Sequence, residues 1–281
     1  MSLSQWNRSR FFFHFNTGLL TLTLAMCFLL LPANAGEKIR SISAADTSFK
    51  VESQNGRILR SLELVGRVFP VTLRGKNLQL RIDAVAEDRD VPGGPVLLHS
   101  FSARRNGGAW ANLCKPGADG LAMGFPLAGR SRDNGTLDVK NPLDFEIACT
   151  SGVQAKCARY GYFPWTKAPD GSPLHNAFDA CVLMLRADYA GDNHPTTRDG
   201  TKVGVSDRWN IREFALGAAE NFEAGWNGEG AVCVHKVRIA ENITLTQLSE
   251  TIPRLQGRTG DICTAEYARQ HGALILNYSA P

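Results

Sequence analysis

The sequence predicts an α+β protein with a β-rich front part, residues 36–140, and a mixed rear part, residues 141–281. Apolar and polar residues alternate over residues 78–85, which is the pattern of a half-buried strand. Over residues 176–189, apolar residues recur at three- and four-residue spacing, which is the pattern of an amphipathic helix. Six cysteines follow residue 35, and their even number favours a fold stapled by disulfide bonds.

The front part is expected to be an antiparallel sheet that forms a small barrel or a sandwich. Leu80 and Ile82 fall on one side of its alternating segment, and Gln79 and Arg81 fall on the other. Shorter strands separated by glycine turns indicate the same architecture. The strands are predicted over residues 58–65, 68–73 and 96–102, and the turn glycines are Gly56, Gly66 and Gly75.

The rear part is expected to mix helices with strands. Its best helix covers residues 176–189, where Phe178, Cys181 and Leu185 share one apolar face. The other predicted elements are helices over residues 152–160, 206–221 (broken near Gly217) and 261–270, and strands over residues 231–239 and 273–278. The sequence leaves open whether the front part is a separate domain or whether residues 36–281 form a single domain.

Residues 1–35 are typical of a secretory signal peptide. The basic start, the apolar run and the small-residue cleavage pattern are Arg8 with Arg10, residues 19–31 and Ala33-Asn34-Ala35. A retained membrane anchor over residues 11–31 is the competing interpretation, because about 20 apolar residues can cross a bilayer. Pro32 and the cleavage pattern favour removal. We therefore expect an exported protein, periplasmic or extracellular, that is cut after Ala35.

Export would place the cysteines in an oxidising compartment, where they are expected to form disulfides. The sequence does not determine how the six pair. They are Cys114, Cys149, Cys157, Cys181, Cys233 and Cys263. The alternative is a cysteine nucleophile activated by a histidine, for which Cys181 and His175 are the nearest pair. We favour oxidised, structural cysteines.

The charge balance does not indicate a nucleic acid or an anionic membrane as a partner. The formal net charge of +4 includes Arg8 and Arg10 of the expected signal peptide, so the exported chain is closer to neutral. We therefore expect no nucleic acid partner, and no membrane contact after cleavage.

Metal ligands and cofactor motifs are not expected either. Paired cysteine or histidine spacings of a zinc site do not occur in the sequence. Asp188, Asp192, Asn193 and Asp199 supply oxygen donors that calcium would accept, but their spacing differs from that of a calcium-binding EF-hand loop. Asp and Asn are also common turn residues, because their side chains bond the local backbone. This segment is interpreted as a turn and a helix cap.

Several short sequence motifs between residues 144 and 235 carry a family resemblance, and we refer to them as the family-like words. The words are Cys149-Thr150-Ser151-Gly152, Ala155-Lys156-Cys157, Gly161-Tyr162-Phe163-Pro164-Trp165, Ala180-Cys181, Arg186-Ala187-Asp188-Tyr189, Gly191-Asp192, Asp199-Gly200-Thr201, Phe222-Glu223-Ala224-Gly225-Trp226 and Ala231-Val232-Cys233. Together they resemble the ADYC domain. That family consists of exported bacterial proteins without an assigned activity, so the resemblance implies a compartment and not a mechanism.

The sequence departs from the family pattern at Ala190, where the signature has a cysteine after the tyrosine. If that cysteine normally forms a disulfide, its partner should also be missing here. If it is instead a nucleophile or a ligand, this chain lacks the corresponding activity. The even number of remaining cysteines favours the first account.

Two functions remain open. One is a binding or interaction module of the cell envelope, which would contact a glycan or a secreted protein through aromatic residues near Trp165 and Trp226, unless these aromatics are core residues. The other is a secreted hydrolase, possible only if its acidic and imidazole groups converge in a concave site. The catalytic candidates of the hydrolase are Asp188, His175, His194 and Glu223.

Overall fold

A computed structural model describes residues 38–279 except residues 74, 106, 142 and 214–221, so the expected signal peptide lies outside the described residues. In chain order, strands β1–β15 are Ile39–Ala45, Ser48–Ser53, Ile58–Arg60, Val68–Leu73, Lys76–Asp88, Val96–Arg104, Ala111–Asn112, Gly124–Ala128, Arg130–Ser131, Leu137–Asp138, Phe145–Cys149, Val203–Asp207, Phe222–Asn227, Gly230–Val234 and Ile275–Ser279. Helices α1–α4 are Val153–Arg159, His175–Arg186, Leu245–Thr251 and Ala265–Gln270. In this part of the chain, none of the helices is long and apolar enough to cross a membrane.

Two antiparallel sheets form the front of the molecule, which confirms its predicted β-rich character. The larger sheet has the strand order β11-β8-β6-β5-β4, with β7 paired to β6, and the smaller sheet has the order β1-β2-β3. Phe49 and Val51 of β2 pack with Leu80 and Ile82 of β5 and with Phe101 of β6. Because this buried cluster takes side chains from both sheets, the front is a small sandwich.

Strand β5 shows the alternation that the sequence predicts. Leu80 and Ile82 are each 1% exposed, and Arg81 between them lies on the outer face of the sheet. On the neighbouring strand β6, Val96 and Leu98 pack in a second and larger buried cluster, which includes side chains of helices α1 and α2. Because side chains alternate along a strand, every second residue of β6 after Leu98 lies on the same face of the sheet as Val96 and Leu98. Helices therefore cover one end of the outer face, and at the other end Arg81 and Asp83 keep 35% and 28% of their side-chain surface exposed.

Helices α1 and α2 lie between the larger front sheet and a four-stranded rear sheet of order β12-β15-β13-β14. The main buried cluster joins Phe125 of β8, Phe178 of α2 and Trp226 of β13. Helix α4 packs on β13, where a β-carbon added at Gly225 would lie 2.5 Å from the Ala268 β-carbon. Glycine at this position therefore permits the close approach of the helix to the sheet. The fold is α+β, as predicted.

The predicted helix over residues 176–189 is α2, which ends at Arg186. Ala187 adopts the left-handed conformation (φ 48°), and its N–H returns to the carbonyl oxygens of Leu183 and Met184. The Asp188 N–H also donates to the Leu183 oxygen, at 3.0 Å. These bonds form a Schellman-type helix end, which stops the helix before the tyrosine of the family-like word.

Three disulfides confirm the predicted framework and determine its pairing. The bridges are Cys114–Cys149, Cys157–Cys181 and Cys233–Cys263. The second bridge joins α1 to α2, and the third joins β14 to the segment before α4. Every cysteine of the described residues is therefore paired, and Ala190 leaves none of them without a partner.

Four predicted elements differ from the structure. The predicted strand over residues 58–65 ends at Arg60 and is followed by a 3₁₀ helix, Ser61–Leu64, and the predicted helix over residues 261–270 begins only at Ala265. Ser206 and Asp207 belong to strand β12 rather than to a helix, because they pair with β15 of the rear sheet. The remainder of the predicted helix over residues 206–221, including Gly217, falls largely outside the described residues. The predicted strand over residues 231–239 ends at Val234, where the chain leaves the sheet and His235 donates its N–H to the Glu223 carbonyl oxygen at 2.8 Å.

Candidate functional site

Asp188, the first catalytic candidate, organises the loop that follows α2. Its side chain is 0% exposed. Oδ1 accepts the N–H groups of Gly191 (2.9 Å) and Asp192 (3.2 Å), and Oδ2 accepts the N–H of Asn193 (3.0 Å). A carboxylate that accepts three backbone N–H groups stabilises the conformation of that backbone. This contact is the turn that the sequence indicates for the segment.

Glu223, the second carboxylate candidate, forms a buried ion pair with Arg238. Its Oε2 accepts from Arg238 Nε at 3.0 Å, and its Oε1 accepts from Nη2 at 3.0 Å. Tyr189 Oη donates to the same Oε1 at 3.0 Å, and burial raises the pKa of this phenol well above its usual range. Arg238 also donates to the carbonyl oxygens of Met184 and Leu185 at the end of α2. The pair therefore ties β13 to the helix.

His175, at the start of α2, faces Asp179 rather than the other candidates. Its Nε2 lies 3.4 Å from Asp179 Oδ2, and Nη1 of Arg132 lies 3.5 Å from the same oxygen. The other carboxylate oxygen accepts the Leu137 N–H at 3.0 Å. Burial raises the pKa of the Asp179 carboxyl, and the Leu137 bond opposes this shift. The cluster joins α2 to the β9–β10 hairpin.

His194 lies at the surface, with 83% of its side chain exposed and Nδ1 3.0 Å from Oδ1 of Asp192. His175 and Asp188 lie at opposite ends of α2, which spans about 20 Å. Within the described residues, no hydrogen bond or ion pair joins either histidine to the carboxylates of Asp188 and Glu223. Tyr189 brings the loop of Asp188 to Glu223, and the catalytic assembly of all four residues stays a prediction.

Asp207 at the end of β12 is a second buried aspartate that, like Asp188, holds the backbone of a turn. It was not among the residues predicted from the sequence. It accepts three backbone N–H groups of the following turn. The donors are Trp209 (2.7 Å), Ile211 (3.2 Å) and Arg212 (2.7 Å). Tyr162 Oη also donates to its Oδ2 at 3.0 Å. An aspartate at the end of an apolar strand, with Asn210 three residues later, is the turn signal that could have identified it.

The aromatic residues of the family-like words are mainly core residues. Trp226 is 0% exposed, and its Nε1 donates to Asn277 Oδ1 at 2.7 Å. Trp165 stacks on Phe163 at a ring distance of 5.3 Å and packs, like Trp209, against the main cluster. Trp226 is therefore a core residue, as the alternative interpretation predicts, and it is not available for contact. Trp165 is half-buried, and a contact near it stays a prediction.

Trp110 is the exception among the described tryptophans, because it belongs to none of the buried clusters. It lies half-buried immediately before β7, at the open end of the outer face of the front sheet. The guanidinium carbons of Arg81 and Arg104 lie 4.7 and 4.4 Å from its ring centroid. A single tryptophan has no periodicity and therefore was not predictable as a surface residue, although the alternation of β5 predicts an outward Arg81.

We define the Trp110 face as Gln79, Arg81, Asp83, Ser102, Arg104 and Trp110. Asp83 accepts from Arg81 Nε with one oxygen and from Ser102 Oγ with the other. Arg104 Nε donates to Gln79 Oε1 at 2.7 Å. Among the described residues, the terminal amino groups of both arginines make no hydrogen bond. The face therefore presents two oriented guanidinium groups with unused donors beside an indole ring.

A groove of about 390 Å³ lies between β1, β4 and the start of β11. Its ionisable side chains are Arg40 and Asp144, which pair with Glu52 (2.9 Å) and Arg130 (3.1 Å). None of the four catalytic candidates lines it. In the part of the chain that the structure describes, no group of three or more His, Cys, Asp or Glu side chains could hold a metal ion.

Comparison with known proteins gives one match. The family model of the ADYC domain matches residues 61–240, which is more than half of the chain. No curated protein and no solved structure matches the sequence. The matched span includes β4–β8 and the Trp110 face as well as the family-like words.

Proposed function

This chain belongs to the ADYC domain family, and we propose that it is exported and acts in the cell envelope as a binding module. In this proposal, the family-like words build the structural frame, and a surface outside them contacts the ligand. The ligand is an envelope glycan or a secreted protein.

Export is supported by the disulfides and by the sequence of residues 1–35. Three disulfides are typical of proteins that fold in an oxidising compartment, because cytosolic thiols are kept reduced. A signal peptide cleaved after Ala35 would deliver the chain to the periplasm or to the exterior.

The binding role is supported by one observation: both carboxylate candidates already bond other groups of the protein. Asp188 already accepts three backbone donors, and Glu223 is paired with Arg238 inside the protein. A general acid or base must reach the proton that it transfers, and a hydrolytic nucleophile must reach the substrate. Both side chains are 0% exposed, so neither carboxylate reaches a substrate at the surface. The secreted hydrolase is therefore the alternative that an experiment must exclude.

Sedimentation with insoluble envelope polysaccharide tests the proposal, with released soluble sugar measured in the same samples. We expect saturable sedimentation of the mature protein and no release of sugar. Release in proportion to protein concentration, lost in a folded Asp188→Asn variant, would replace the proposal with the hydrolase. Absence of binding to envelope glycans and to secreted proteins of the producing cell would also overturn it.

A further inference from the structure

We propose that the Trp110 face binds an acidic polysaccharide through the carboxylates of its sugar units. This inference rests on the proposed binding function and assigns its surface and its ligand class. The face lies on β5, β6 and the residue before β7, outside the words that resemble the family.

The two arginines are held in place before a ligand arrives. Arg81 lies opposite Ser102 in the β5–β6 register, and Arg104 lies opposite Gln79, so the arginines are diagonal neighbours on adjacent strands. Each Nε is fixed by a side-chain acceptor on the same face, which orients the guanidinium plane. Fixed guanidinium groups bind carboxylates in two-pronged geometry with less loss of side-chain freedom than mobile groups.

The charge of the face favours an anion. Arg81 and Arg104 are its cations, and Asp83 is its one carboxylate, with both oxygens already occupied. Arg81 pairs with Asp83, so one positive charge remains without a counter-charge among the residues of the face, and both arginines lie against the same indole. An incoming carboxylate supplies the missing counter-charge and accepts hydrogen bonds from the unused terminal amino groups of the arginines.

The other side chains of the face suit a sugar chain better than an apolar partner. The part of the half-buried Trp110 ring that Arg81 and Arg104 leave uncovered supplies apolar surface against which the C–H groups of a sugar ring can pack. Gln79 and Ser102 lie beside it and can bond hydroxyl groups. Strands β5 and β6 run side by side for several residues, so an extended polymer can lie along them.

Binding of polygalacturonate, a chain of carboxylated sugars, is the test, with its methyl-esterified form as the uncharged control. Arg81→Gln, Arg104→Gln and Trp110→Ala remove one element of the face each. Arg208→Gln is the matched control, since Arg208 also lies over an indole ring, 5.7 Å from that of Trp209, but outside the face. Urea unfolding of every variant verifies that it is folded.

We expect polygalacturonate to bind the wild type with a dissociation constant that rises with salt, because exposed charges are screened. Each of the three face variants should weaken binding about tenfold or more, and the control variant by less than about twofold. The esterified polymer should bind at least about tenfold more weakly than the charged one.

Other results would overturn the inference in distinguishable ways. Wild-type binding that the face variants leave unchanged would place the ligand elsewhere and leave the binding module intact. Equal or tighter binding of polyglutamate, or of vesicles containing anionic phospholipid, would replace the acidic sugar with an acidic peptide or a membrane surface. If polygalacturonate fails to bind while insoluble envelope polysaccharide still sediments the protein, only the ligand class is wrong. Failure of both would remove the proposed function as well.

Discussion

Single carboxylates organise long stretches of backbone in this protein. Asp188 and Asp207 each accept three N–H groups of the turn that follows them, and Glu223 holds the guanidinium of Arg238. The hydrogen bonds of these buried carboxylates offset a desolvation penalty of roughly several kcal/mol per ion. Two of the catalytic candidates, Asp188 and Glu223, are therefore bonded to other groups of the fold.

The Glu223→Gln substitution should destabilise the protein strongly. It leaves the guanidinium of Arg238 buried without its counter-charge, so the free energy of unfolding should fall by about 3 kcal/mol or more. Urea unfolding measures the loss. Glu241→Gln is the matched control, because Glu241 pairs with Arg198 at the exposed surface, and its unfolding curve should stay unchanged. Equal stability of the two variants would show that the Glu223 pair does not hold the fold.

The buried histidine of the front sandwich should make stability depend on pH. His99 lies between Ser61 Oγ (2.7 Å) and the Gly124 oxygen (3.3 Å), and burial lowers its pKa from 6.5 to about 4. The unfolded chain therefore binds a proton before the folded protein does. Stability should fall by about 3 kcal/mol as the pH drops from about 6.5 to about 4.

Unfolding curves at several pH values measure this slope. His99→Gln should start from a lower stability, because it removes a buried ring, and should lose most of the slope. His194→Gln, at an exposed histidine, should keep the wild-type slope. A His99→Gln variant with an unchanged slope would assign the acid sensitivity to other groups.

At the scale of elements, the family-like words determine how α2 joins the rear sheet. The Schellman-type end at Ala187 stops the helix, and the loop of Asp188 then approaches the β13–β14 hairpin closely. A β-carbon on Gly191 would lie 2.3 Å from the Glu229 carbonyl oxygen, closer than atoms in contact can come. Gly200 has a similar positive φ but no neighbour within 4 Å of such a carbon. Substitutions at these two glycines therefore separate the cost of backbone strain from the cost of close approach.

Gly191→Ala should cost clearly more stability than Gly200→Ala. Left-handed backbone strain alone is expected to cost about 1 kcal/mol at Gly200, and the clash with Glu229 should at least double that at Gly191. Thermal and urea unfolding of the two variants give the comparison. Equal losses would mean that the loop can move away from the hairpin without cost.

Elements with a strong periodic pattern were predictable from the sequence, and elements buried on both faces were not. Strand β5 and helix α2 follow their patterns within a few residues. Strands β8 and β11 were missed as strands, since both of their sides face buried clusters and the alternation is lost. The end of α2 was placed three residues late, because an alanine in the left-handed conformation carries no sequence signal.

Pairing between strands that are distant in the sequence determines which side chains are buried and which meet at the surface, and these features could not be predicted from the sequence. Strand β15, at the end of the chain, lies between β12 and β13, and only that pairing shows Trp226 to be buried. The same limit applies to the ligand surface, because Arg81, Arg104 and Trp110 come from separate segments that meet only in the folded sheet. The compact unit of residues 38–281 also includes both front and rear parts.

The intact mass of the exported protein tests its compartment and its bridges together. After alkylation without reduction, we expect a chain that begins at Gly36 and carries no label. Reduction before alkylation should add six labels, one for each bridged cysteine. An uncut leader, or labelled thiols before reduction, would contradict the exported, fully bridged protein.

Nuclear magnetic resonance with an oligomer of galacturonate tests most directly where this protein meets its ligand. Titration should shift the indole Nε1–H signal of Trp110 and the amide signals of β5, β6 and β7, while the signals of residues 175–194 stay in place. Shifts concentrated at His175, Asp188 and Glu223, with the Trp110 signal unchanged, would place the ligand at the catalytic candidates and would favour the hydrolase.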